Sequence, residues 1–169
     1  MKNFYTLFHK ELNDIYEAEN QIVKYLPNAI RAASSKELKE ALTKELEESK
    51  IQVERLENIA QDLDEKLKKG DNAIIKALIS ELNHVLDAKY DEMAKDAAII
   101  LGMQRIKHYE IACYGTLKCF AKHMKLDKAE KLFEISAKEE GTVNKQLTEI
   151  AEGTIFHAGI NDKACRRCA

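Results

Sequence analysis

What most constrains this chain is how little interrupts its helical spacing of apolar residues. Leu7, Phe8, Leu12, Ile15, Tyr16, Ile22, Val23 and Leu26 recur at intervals suited to one helix face, and similar runs follow through most of the sequence. Across 169 residues there are one Pro and six Gly, so few positions can break a helix or force a tight turn. Such a chain builds a few long helices rather than many strands. Its length suits one domain whose core needs no disulfide or metal to fold.

The first run predicts a helix from Phe4 to about Ala33, kinked at Pro27. Ser34 with Glu37 three residues later reads as a capping box, opening a second helix that Leu38, Leu42, Leu46, Val53, Leu56 and Ile59 carry to about Leu63. Lys68 to Asn72 (KKGDN) is the clearest loop. A short amphipathic helix follows from Ala73 to Ala88, then a third long one from Tyr90 to Met124. Asp127 and Glu130 repeat the capping signal and open a fourth, which reaches about Thr154. Connections are brief within each long pair, and about 26 residues separate the pairs, enough to return the chain along a bundle's length. The expected fold is therefore all-α, a four-helix bundle over residues 1–155 with one long crossover containing a short fifth helix. Residues 156–169 then form a tail carrying a CxxC, Cys165 to Cys168.

Charge and cysteine narrow the function classes. With 27 basic against 29 acidic side chains interleaved along the chain, no global field recruits nucleic acid or anionic lipid. No apolar run is long enough for a membrane span. Cys113 and Cys119 sit inside a helical pattern rather than in a disulfide framework, which predicts reduced thiols and a cytoplasmic setting. The Cys165 pair, with two Arg between, reads first as a plain tail, since a lone CxxC is weak evidence of redox chemistry.

The chemistry lies in the acids that interrupt the apolar stripes. Glu19 stands between Ile15 and Ile22, Glu110 between Ile106 and Cys113, and Glu140 between Ser136 and Val143. The second helix has a polar column of Glu45, Glu48 and Gln52, from which Glu48 is taken as the inward acid and Glu45 as the reserve. Reflecting Glu19 through the turn near Ser34 lands near Glu48, and reflecting Glu110 through the turn near Lys125 lands at Glu140. Acids are also ordinary helix surface, but four at one level, buried together, must hold protons or cations. Four inward Glu in a bundle with one crossover is the geometry of dinuclear carboxylate proteins. Nitrogen ligands are the missing part, because Ile51 and Val143 stand where Glu-x-x-His would place His, while Gln52 and Asn144 stand one position further. Tyr114, one turn beyond Glu110, is placed to bond a ligand carboxylate. His108 falls on another side of that helix, suited to an interface or an outer contact. His9, His84, His123 and His157 read as surface or end residues.

DIYEAENQI (14–22), LEESKIQVERL (46–56), HYEIACYGTL (108–117) and KEEGTVNKQLTEIA (138–151) resemble the YciE/YciF family of bacterial ferritin-like stress proteins. The likeness runs to about Glu152 and implies a ferritin-like bundle, homodimerisation, a role in stress responses, and a dinuclear metal centre at Glu19, Glu48, Glu110 and Glu140. Gln52 and Asn144 depart from the His and Asp common in the family. Iron or manganese with oxidase or peroxide-protective chemistry is the first expectation. The alternative is a non-enzymatic stress or interaction module with a degenerate site.

Overall fold

The computed structural model describes residues 3–68, 70–155 and 157–166. Helix α1 spans Phe4–Ala32, α2 Lys36–Asp62, α3 Ala73–Asp87, α4 Glu92–His123 and α5 Asp127–Glu152. α1 packs along α2 and α4 along α5, while α1 also meets α4 and α2 meets α5, which closes the bundle. The crossover helix α3 lies against α4 and α1. The all-α expectation of four long helices and a short fifth is met. α1 runs continuously through Pro27, near its C-terminal end.

Two buried polar side chains fix this frame. Asp96 on α4 is fully buried and accepts the backbone N–H groups of Ser34 and Ser35 at 2.7 Å each, which ties the α1–α2 turn to the second helix pair. Asn72 caps α3 by accepting from the N–H groups of Ile74 and Ile75, and its amide donates to the Asp14 carbonyl and the Tyr109 hydroxyl. The crossover is thereby anchored to both α1 and α4. Gly102 is where α3 crosses α4, since a Cβ there would stand 2.3 Å from the Leu82 side chain.

The caps differ from the sequence expectation. Ser35, not Ser34, is the N-cap of α2: its side chain accepts from the Leu38 N–H, and Asp96 holds the N–H groups of both serines ahead of the helix, which starts at Lys36. At α5 the cap is Leu126, with no side-chain bond, and Asp127 lies inside the first turn. Lys125, in the left-handed region at φ 58°, makes that reversal and displaces the anticipated capping box.

The tail is also more structured than expected. Gly153 at φ 80° turns the chain out of α5 into a two-residue ladder, β1 (Gly153–Thr154) against β2 (His157–Ala158). Helix α6 (Ile160–Cys165) then packs on α4 and α5 with Ile160 buried. Cys165 is exposed, and its CxxC partner Cys168 lies outside the described residues. Among the described residues, no helix is long and apolar enough to cross a membrane.

Replacing Asp96 with Ala takes the acceptor from the N–H groups of exposed Ser34 and half-buried Ser35. It should cost roughly 1.5–3 kcal/mol, about one hydrogen bond to a charged group, because water reaches the Ser34 donor. The expected readout is a lower urea midpoint at unchanged m-value.

Candidate metal centre

The middle of the bundle holds a cluster of charge rather than a continuous apolar core. Glu19 from α1, Glu45 from α2, and Glu110 and Lys107 from α4 are all buried, as is Glu140 from α5. Each is on its helix's inward stripe. On α4 that stripe runs Met103, Ile106, Lys107, Glu110, Tyr114, Leu117, and on α5 it runs Phe133, Ser136, Glu140, Val143, Leu147.

Glu19, Glu110 and Glu140 each offer an oxygen within 4.8 Å of the others. Glu19 Oε2 and Glu110 Oε1 are buried without a hydrogen-bond partner. The other Glu19 oxygen accepts from the Tyr114 hydroxyl at 2.7 Å. Glu140 is held from two sides, with Gln52 Nε2 donating to Oε1 at 2.6 Å and Lys107 Nζ to Oε2 at 2.5 Å. Lys107 Nζ also donates to Glu45 and stands 2.7 Å from Glu110 Oε2. One ammonium thus faces three carboxylates. Outward from Glu140, Gln52 also bonds Glu139, which receives both Arg55 nitrogens at 2.7 and 3.0 Å.

Protonation follows from this crowding. Burial, then the neighbouring Glu140, push the Glu19 carboxyl from 4.5 up to about 8, against the opposing pull of Lys107 and Tyr114. The same two causes hold Glu110 well above the carboxylate range. Burial also raises Glu140, with Lys107 acting against it. For Lys107, burial works to lower the pKa, but Glu110, Glu140, Glu45 and Glu19 outweigh it and keep the ammonium charged. Burial and Glu19 raise the Tyr114 hydroxyl well above its usual value, so it remains a donor.

The structure brings together Glu19, Glu110, Glu140, Glu45, Gln52 and Tyr114 as the sequence suggested, with one exchange. Glu48 is corrected to Glu45: Glu48 is half-buried on the flank of α2 and pairs with Lys44 at 3.2 Å. The buried positions of α2 run Leu38, Leu42, Glu45, Ser49, Gln52, Leu56, Ile59, a stripe that passes beside Glu48. His108 is exposed, with Nδ1 against the Gln104 carbonyl, and takes no part. Asn144 has a buried Oδ1 without a partner but no hydrogen bond to the acids. Lys107 was missed. Its place one turn from both Met103 and Glu110 was the available signal, a weak one because a Lys is rarely buried unless paired.

The residues fit a divalent cation in part. The unpartnered oxygens of Glu19 and Glu110 beside Glu140 form an all-oxygen place for a hard ion. A dinuclear centre with His ligands does not fit. Three residues after the inward acids Glu45 and Glu140, where such bundles place His, stand Glu48 and Val143.

The family model described as a domain of unknown function, DUF892, matches residues 3–160. Protein YciF of Escherichia coli is 34% identical over 152 residues, which are 89% of this chain and 92% of that protein. The crystal structure of YciF, described as a stress protein, superposes with a TM-score of 0.85 over 88% of this chain and 94% of its own. YcfI of Rhodopseudomonas palustris, described as a candidate structural protein, is 35% identical and superposes with a TM-score of 0.86 over 89% of this chain and 96% of its own. A bundle matched along nearly its whole length in both sequence and structure places the chain in the DUF892 family, alongside YciF.

Proposed function

We propose that this chain is a ferritin-like stress-response protein whose working part is the buried carboxylate centre, binding a divalent cation through Glu19, Glu110 and Glu140. The observation that carries this reading is the pair of unpartnered, fully buried oxygens on Glu19 and Glu110 facing Glu140. The stress role comes from the relative YciF, whose description names it as such. The family resemblance adds a homodimer, and the thiols expected to be reduced add a cytoplasmic setting. Iron or manganese held there would supply redox chemistry of the oxidase or peroxide-consuming kind, and Mg²⁺ only Lewis acidity. The chain's own groups prepare the place. Tyr114 orients Glu19, Gln52 orients Glu140, and Lys107 offsets part of the negative charge.

A second reading is a structural module with no metal, in which Lys107 and protons alone balance the acids. The ion pairs of Lys107 with three carboxylates favour it. Metal analysis after supplementation with Fe²⁺ or Mn²⁺ decides between the two. The first reading expects a bound ion that a Glu19→Ala, Glu110→Ala double variant loses by at least tenfold in affinity. No bound ion in the unmodified protein would leave only the second.

The pH dependence has a definite sign. Between pH 4.5 and about 8 the folded chain keeps the Glu19 proton that the unfolded chain has released. Stability in chelator therefore falls as pH rises through this window. Melting temperatures in EDTA should drop from pH 5 to 8. Cation binding displaces carboxyl protons, so its apparent affinity should climb about tenfold per pH unit for each proton released. A flat calorimetric titration across the same range would contradict it.

A further inference from the structure

Lys107 is the feature of this centre that a metal-binding bundle does not require. Its Nζ sits among Glu45, Glu110 and Glu140, and its side chain is fully buried, as are those of Glu110 and nearly those of Glu45 and Glu140. Two of these acids, Glu110 and Glu140, also belong to the group completed by Glu19. The centre thus has two adjoining cation positions that share two carboxylates. One is bounded by Glu19, Glu110 and Glu140, where Glu19 Oε2 and Glu110 Oε1 have no hydrogen-bond partner. The other is bounded by Glu45, Glu110 and Glu140 and contains the ammonium, with Glu45 Oε2 also left without a hydrogen bond.

We infer that the Lys107 ammonium takes the place of a second metal ion, making this a centre for one divalent cation beside one tethered organic cation. The inference rests on the reading of the Glu19 group as a cation site. Charge favours the arrangement. With all four carboxylates stripped of protons, one ammonium would leave three net negative charges in a space closed to water, and one divalent ion would reduce that to a single charge, within reach of one proton. Chemistry differs as well. A pair of metal ions can share a two-electron step between them, whereas a single ion beside an ammonium has one redox partner and a fixed hydrogen-bond donor. The ammonium also cannot dissociate, so one of the three compensating positive charges persists when metal is scarce.

The test is the stoichiometry of Mn²⁺ in the full chain and in Lys107→Met, whose side chain keeps the length of the stem without the charge. The unmodified protein should bind one Mn²⁺ per chain, with the electron paramagnetic resonance spectrum of an isolated ion. Lys107→Met should bind two, with a spin-coupled spectrum. In EDTA the variant should melt roughly 10 °C lower, as expected for a buried ion-pair network that loses its cation, and Mn²⁺ should restore it. Should the variant fold only with Mn²⁺ present, that dependence supports the same substitution of metal for ammonium. Two coupled ions in the unmodified protein would overturn the inference and leave the metal-centre reading standing. One ion in Lys107→Met would also overturn it. No ion in either protein would remove the metal-centre reading and this inference together.

Discussion

Charge compensation at the middle of the bundle is the constraint around which the rest of this structure is arranged. Four carboxylates converge where most bundles place Leu and Ile, and moving one such group from water into a dry interior without a partner costs several kcal/mol. Lys107 offsets part of that cost by ion-pairing three of them at once. Tyr114 and Gln52 offset more by donating to Glu19 and Glu140. What these groups leave unbalanced appears as raised carboxyl pKa values at Glu19, Glu110 and Glu140. The cluster is therefore held under an electrostatic load that either protons or a cation can relieve.

Such a cluster needs a stiff frame, because a carboxylate displaced by about an ångström can lose its partner. The frame comes from polar anchors at the starts of α2 and α3, which bond into the neighbouring helices. Asp96 fixes the α1–α2 turn onto α4, and Asn72 fixes the start of α3 onto α1 and α4. These anchors set the helices' relative heights. That brings Glu19 level with Glu110 and Glu140, while buried apolar layers, with Phe8 against Phe133 in one and Leu26 and Leu38 also in the core, keep water out.

The long helices were legible from apolar periodicity because one Pro and six Gly leave few competing structures. Glu19, Glu110 and Glu140 were legible for the same reason, each being the only acid on a clean stripe. α2 was harder. Its inward stripe includes Glu45, Ser49 and Gln52, so hydrophobicity no longer marks the inward face, and half-buried Leu46 and Val53 draw the eye one position around the helix toward Glu48. Lys107 left only its place on the α4 stripe as a signal, since its burial depends on acids from two other helices that only the fold brings near. The caps failed on a tertiary contact as well, as Asp96 lies some sixty residues from the turn it holds.

The departures from a di-iron pattern form one coherent set rather than scattered losses. Where nitrogen ligands would stand, α2 has Gln52, whose amide now donates to Glu140, and α5 has Val143, which packs in the core. A neutral donor and an apolar side chain each lower the capacity of the site for a second transition-metal ion. Lys107 lowers it further by occupying the carboxylates such an ion would need. Without Lys107 the buried acids would lack a tethered counter-charge, and with nitrogen ligands present as well an ammonium would stand against two metal ions. The two features suit one another, and together they let the bundle hold four inward carboxylates without the nitrogen ligands of a di-iron bundle.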